Sequence, residues 1–202
     1  NFLGGVDEDW FVTIHVCIED AAGDAIEAAK KLSTMNKNNS HKDFLNELKK
    51  NQPELHITER LIELVKIGGL IHDLGHGPFS HLYDNYVKNE DEYEHEYRGL
   101  DIFRNMVIKY NLDLSQEEIT LICDIIDPPS NLQDNWLYQI VNNKINHIDV
   151  DKIDYILRDS YHIGLFHNDF SRILTMIKVS YFNKSSVLAW HEKVQHDIYL
   201  LF

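Results

Sequence analysis

Residues 58–73, TERLIELVKIGGLIHD, restrict the fold of this chain more than any other stretch. Thr58 is suited to begin a helix, because its hydroxyl can accept a hydrogen bond from a first-turn backbone N–H. Beyond it, Leu61, Ile62, Leu64, Val65, Ile67, Leu70 and Ile71 spread over most of a helix circumference. A helix that is apolar nearly all round is expected to be buried among other elements. This one runs into His72 and Asp73 and then meets Gly75 and Gly77, so it is expected to carry an imidazole and a carboxylate into the interior.

The rest of the chain is read around that helix. Nine glycines and four prolines in 202 residues force few turns, so further long helices are expected. Asp43 to Lys50 reads as a short helix stopped at Pro53, and Pro78 is placed to start the element after the glycines. A helical stretch covers 92–110, and SQEE at 115–118 is a capping box leading into ITLICDII. Two more helices fit 134–143 and 149–161, and the final KVQHDIYLLF begins another. MIKVSYF, NKSS and VLAWHE read as a small hairpin, and residues 1–35 as a strand followed by an alanine-rich helix. The expected fold class is all-α, mostly a helical bundle, with one small accessory β-hairpin.

Charge narrows the partners. Nineteen basic against 33 acidic residues give a formal charge of −14, which disfavours duplex nucleic acid and anionic membranes. It would also repel a phosphate-bearing substrate unless a bound cation reversed the local sign. Cys17 and Cys123 make neither a metal-type pair nor a disulfide framework, as expected of reduced thiols in a cytoplasmic or nuclear protein. No apolar run reaches the roughly 18 residues of a membrane span, and no signal segment opens the chain.

The candidate chemistry is concentrated in GGLIHDLGHGPFSHLYD, residues 68–84, which holds His72, Asp73, His76, His81 and Asp84. Neighbouring helix residues point about 100° apart, so His72 and Asp73 share an ion only where the helix ends and lets them converge. His95 and Glu96 add another imidazole and carboxylate, and HIDVDKIDYILRDSYH adds Asp149, Asp151, Asp154 and Asp159 with Lys152 and Arg158 between them. Asp151, Tyr155, Arg158 and Asp159 recur at helical spacing and can face one cleft. Imidazole and carboxylate are the usual ligands of divalent ions. On spacing alone, a metal site, a hydrogen-bonded core and a solvated surface all stay open; Asp84, Asp149 and Asp154 read equally well as caps or solvated residues.

HDLGHGPFSHLYD together with HIDVDKIDYILRDSYHIG resembles the HD-domain superfamily, and within it the deoxynucleoside triphosphate triphosphohydrolase branch that includes the SAM-and-HD-domain proteins. The likeness runs from KKNQPELHITER, 49–60, to the end of the chain. It implies a divalent metal (iron, manganese, zinc or magnesium) on His72, Asp73 and Asp151. It implies catalytic roles for His76, His95, Glu96 and Asp84, which position or activate water and protonate the leaving group. His81, Lys152 and Tyr155 match positions that contact the phosphates, and Asp159 one that reads the sugar 3′-hydroxyl. Arg172 falls near a regulatory nucleotide position. The reaction implied is hydrolysis of a dNTP to deoxynucleoside and triphosphate. Alternatives are another nucleotide or phosphodiester as substrate, or a catalytically dead binding module. Family members assemble through nucleotide-bridged contacts, so a homo-oligomer is also among the expectations.

The sequence departs from that family at both ends. Counting back from Gln52 to where the family places its first metal histidine reaches Leu32; His41 and His15 are the nearest histidines, and neither carries the family's flanking motif. Residues 7–29 have only a short likeness to indoleamine dioxygenases, too short to imply haem chemistry. The division expected is therefore an atypical segment, 1–40, foreign to the fold, followed by a partial HD domain, 41–202, truncated before its C-terminal phosphate-binding helix.

Overall fold

A computed structural model of the chain describes residues 40–87, 94–162, 164, 171–182 and 184–200. The strand and helix expected within 1–35 lie outside the described residues. Helix α1, Ser40–Asn51, buries Phe44, Leu45 and Leu48, the apolar positions three and four residues apart that define one helical face. After a 3-10 turn, Pro53–Leu55, comes α2, Glu59–Ile71. Its first turn is capped as expected, the Thr58 side chain accepting from the Leu61 N–H at 3.1 Å.

Helix α2 joins two cores. Ile62 and Val65 pack with Phe44, Leu45 and Leu48 of α1, while Leu64 and Ile71 face Leu100, Phe103, Ile122 and Ile126. Its burial is narrower than the sequence implies. Leu70 is 41% exposed among the described residues.

Pro78 does not open a helix. Phe79 and Ser80 have φ of 65° and 50°, outside the right-handed helical region, so the chain turns there and α3, His81–Tyr86, begins only afterwards. Helix α4 spans His95–Tyr110 and ends on Asn111 in the left-handed conformation. Helix α5, Gln116–Ile126, carries the full capping box of Ser115 and Glu118.

Residues 134–143 form only a 3-10 turn, Trp136–Gln139, rather than the helix expected there. Tertiary bonds explain the difference. Buried Gln139 donates to the Gln133 and Ser186 carbonyls and accepts from the Leu188 N–H, tying the segment to the hairpin. Helix α6 is Val150–His162, and the Asp149 carboxylate caps it by accepting from the Lys152 N–H at 2.9 Å.

A short α7, Ser171–Thr175, leads into β1, Ile177–Phe182, and β2, Ser185–Trp190. The strands pair antiparallel, with Ile177 opposite Trp190 and Phe182 opposite Ser185, as the hairpin reading expects. Gln52 extends this sheet sideways. Its amide donates to the Val179 carbonyl and accepts from the Val179 N–H, so α1 and β1 are locked together. A 3-10 turn, Glu192–Val194, and α8, Gln195–Tyr199, complete the described chain. The molecule is helical with one small sheet, the fold class expected. No helix among the described residues is long and apolar enough to cross a membrane.

Candidate metal centre and its histidine cluster

Helix α2 stops at Ile71, and tight turns follow, with Leu74 N–H bonding Ile71 O and His76 N–H bonding Asp73 O, both at 3.1 Å. His72 Nδ1 lies 2.7 Å from the Gly69 carbonyl. A carbonyl only accepts, so Nδ1 carries a proton and Nε2 is the nitrogen left to an ion once the ring is neutral, the arrangement that orients a metal-ligating histidine. Nε2 lies 3.2 Å from Asp73 Oδ1 and 3.4 Å from Asp151 Oδ1, yet it is buried with no aligned hydrogen bond. Two ligands about 2.1 Å from one ion at tetrahedral angles stand about 3.4 Å apart. The three donor atoms, all within 4.8 Å of one another, therefore fit a shared cation. Asp151 arrives from the first turn of α6. One expectation fails here: the Asp73 side chain is 61% exposed, so of the pair only the imidazole is carried inward.

A second group adjoins the first. His76 Nε2 is 3.4 Å from Asp73, while its Nδ1 is 3.4 Å from Asp84 Oδ2. His95 Nδ1 is 3.5 Å from the same Asp84 oxygen and 3.3 Å from Glu96. The His76 and His95 rings stack at 3.9 Å between centroids, and His81 meets His76 edge-on at 5.1 Å. Asp84 is held from behind by Arg98, whose guanidinium donates to Asp84 Oδ1 at 2.7 Å and to the Gly75 carbonyl at 2.9 Å. Lys144 reaches toward Glu96 at 3.9 Å.

The electrostatics follow from these contacts. Burial works to lower the His72 pKa, but contact with Asp151 and the charge of Asp73 override it and hold it at about 9. Contact with Asp73 raises His76, while burial lowers its stacked neighbour His95. Two adjacent imidazoles pushed in opposite directions suit a proton-handling pair. Burial acts to raise the Asp84 carboxyl, but the Arg98 guanidinium outweighs it and holds it below its ordinary value.

The other residues singled out from sequence lie around this cleft or away from it. Lys152, Tyr155 and Asp159 sit on α6 at spacings of three and four. Tyr155, 39% exposed, is raised by burial and by the nearby Asp151, Asp149 and Asp159 carboxylates. Arg172, on α7, pairs instead with Asp197 of α8 at 3.4 Å and donates to the Lys193 carbonyl. Sequence reading missed one participant, Arg98, because nothing in its spacing marks it as the partner of Asp84. His41, on α1, lies nearby with its ring against Gly69, and burial pushes its pKa down to about 4.

Comparison with known proteins is consistent with this geometry. The chain is 33% identical over 186 residues to the chicken deoxynucleoside triphosphate triphosphohydrolase SAMHD1, an alignment covering 79% of this chain and 30% of that protein. The human protein of the same name is 35% identical over 179 residues, 75% of this chain and 28% of its own length. The Dictyostelium discoideum homolog is 37% identical over 142 residues, 67% and 28% of the two chains. The chain thus spans less than a third of the length of these relatives. The sequence model of the HD domain matches residues 25–159, well over half of the chain and including both histidine–aspartate groups. This protein belongs to the HD-domain family.

Proposed function

We propose that this domain hydrolyses deoxynucleoside triphosphates to deoxynucleoside and intact triphosphate, with a divalent ion held by His72, Asp73 and Asp151. The observation that carries this reading is the Asp73–His76 contact of 3.4 Å, which joins the ligand group to the histidine cluster. When bound, the ion supplies Lewis-acid polarisation at the α-phosphate and positive charge that a protein of −14 otherwise lacks. His72 and Asp73, at the end of α2, and Asp151, in the first turn of α6, would hold that ion.

The chain's own proton chemistry lies next door. Water attacks the α-phosphorus, the bond to the deoxyribose 5′-oxygen breaks, and that oxygen needs a proton to leave. The Asp84 and Glu96 carboxylates lie 3.3–3.5 Å from the Nδ1 atoms of His76 and His95 and favour their protonated forms, so an imidazole of this pair positions the water or delivers the proton. Asp84, anchored by Arg98, orients both rings. His81 extends the cluster toward the phosphates, and Lys152 and Tyr155 hold the triphosphate from α6. Asp159, further along the same helix, reads the 3′-hydroxyl. Arg172 is the candidate for a regulatory nucleotide, once released from Asp197. An intracellular location and self-assembly belong to the same proposal and are supported by the family likeness alone.

Incubating the 202-residue chain with a dNTP and Mn²⁺, with products resolved by ion-exchange chromatography, tests this. Inorganic triphosphate is the expected product. Orthophosphate or a nucleoside monophosphate would move the protein to a different phosphohydrolase reaction. Nucleotide binding without turnover would make it a binding module.

A further inference from the structure

We infer that Lys144 is a positioning residue for the hydrolysis, its ammonium holding the Glu96 carboxylate in place beside His95; the inference rests on the proton chemistry proposed for that histidine. Two carboxylates are arranged alike around the His95 ring. Asp84 Oδ2 lies 3.5 Å from His95 Nδ1, and the other Asp84 oxygen meets the Arg98 guanidinium at 2.7 Å. Glu96 Oε2 lies 3.3 Å from the same Nδ1, and the other Glu96 oxygen faces Lys144 Nζ at 3.9 Å. The two are not equivalent, because Asp84 Oδ2 also lies 3.4 Å from His76 Nδ1 and so is shared between the stacked imidazoles. Among the described residues, Glu96 serves no imidazole but His95. A carboxylate at Nδ1 keeps a proton there and leaves Nε2 as the nitrogen that takes or gives the reacting proton.

The backbone that carries Lys144 is fixed by its neighbours. Asn143, 1% exposed, donates to the Ile148 carbonyl at 3.0 Å and accepts from the Ile145 and Asn146 N–H groups. The Asn143 N–H donates to Asp149 Oδ2, while Asp149 Oδ1 caps α6 through the Lys152 N–H. Lys144 is thus tied to the first turn of α6, where Asp151 stands. One bonded turn presents an ammonium to the His95–Glu96 pair and, seven residues on, a carboxylate to His72 and Asp73. An exposed ion pair gains little, because it must order two long side chains in water. Here the backbone is already ordered, and the Lys144 and Glu96 side chains are only 35% and 25% exposed. Among the described residues, Lys144 pairs with no other carboxylate.

Triphosphate release from dATP with Mn²⁺, measured on the full chain, is the first test. Lys144→Met is expected to lower kcat about tenfold with KM within about twofold of wild type, and Lys144→Arg to restore most of the rate. Co²⁺ affinity, read by equilibrium dialysis, is expected to stay unchanged in both. In a Glu96→Gln background Lys144→Met is expected to add no further loss, since the lysine acts through that carboxylate. An unchanged kcat, a loss confined to KM, or the same loss in both backgrounds would overturn the inference. The second test needs no turnover: the His95 titration followed by NMR in the histidine-labelled, metal-free chain. His76, His81, Asp84 and Glu96 face that ring; burial lowers its pKa and the Glu96 charge raises it. Releasing Glu96 by Lys144→Met is therefore expected to lower the His95 midpoint, and to leave it unmoved in the Glu96→Gln background. A midpoint that stays or rises in the Lys144→Met chain would overturn the inference. Wild type that releases no triphosphate would remove the proposed reaction, and the titration would still decide what Lys144 holds.

Discussion

Gly75 and His95 are packed backbone to backbone: a β-carbon on Gly75 would stand 1.8 Å from the His95 carbonyl oxygen and 2.4 Å from the Gly99 nitrogen. The turn after α2 therefore lies directly on the first turn of α4, and this contact sets the distance between His76 and His95. Gly75→Ala must separate the two segments, since both clashing partners are backbone. A loss of at least about 3 kcal/mol of stability is expected, with turnover down about 100-fold from the displaced imidazole. Gly99→Ala is the control. Its β-carbon meets Gly75 N at 3.2 Å, and alanine gains about 1 kcal/mol of helix propensity over glycine, so near-neutral stability is expected. Thermal denaturation of the two variants decides, and a Gly75→Ala protein as stable as wild type would refute the packing account.

Arg98 holds three things at once: the Gly75 carbonyl, Asp84 Oδ1 and, at 5.6 Å, the face of Tyr83. Asp84 Oδ2 is sealed between two imidazoles, so removing the guanidinium leaves a largely buried carboxylate without its main partner. Arg98→Gln is expected to cost about 2 kcal/mol and to lower turnover more than tenfold while Co²⁺ binding persists. Arg98→Lys should recover only part of this, because one ammonium cannot reproduce the fork that spans Gly75 and Asp84. Full recovery by lysine would show that charge alone matters there.

The parts of this fold governed by local chemistry could be read from the sequence. The Thr58 cap, the Ser115–Glu118 capping box and the hairpin over 177–190 follow from short-range rules and are found as expected. The parts governed by tertiary contacts could not. Gln139 spends its side chain on β2 and converts an expected helix into a 3-10 turn, and positive φ at Phe79 and Ser80 delays α3 past Pro78. At the site, spacing singled out His72, Asp73, His76 and Asp84 only as candidates that share one segment, and family likeness tied Asp151 to the pair. Arg98 escaped because its partner lies 14 residues away in the sequence, beyond any helical spacing.

Outside the site, Glu118 serves two partners, capping α5 and binding Arg60 through both carboxylate oxygens at 2.6 and 3.0 Å. The Arg60 guanidinium lowers its pKa from 4.5 to about 2. A carboxyl depressed in the folded state stabilises above its unfolded pKa, and that contribution is lost as pH falls through the folded value. Stability should therefore decline between pH 4.5 and about 2 through this group. Glu118→Gln retains a capping-box residue but cannot form the ion pair. The variant is expected to be slightly less stable at neutral pH and to converge with wild type as pH approaches 2. Parallel acid-denaturation curves that keep the same offset throughout would exclude the ion pair as the cause.

Both histidine groups have donor atoms close enough to share an ion, so their division of labour is itself testable. His95→Gln should leave Co²⁺ affinity within about twofold of wild type, because His72, Asp73 and Asp151 are untouched. Its turnover should fall by about 10²–10⁴, the range expected when a positioned general acid or base is removed. Asp73→Ala should do the reverse at the first step, losing the ion and, with it, all triphosphate release. The two variants together distinguish a ligand from a proton carrier, since a glutamine cannot exchange a proton but leaves His72, Asp73 and Asp151 untouched. His95→Gln losing the ion as completely as Asp73→Ala would place the cation on His76, Asp84 and His95 instead.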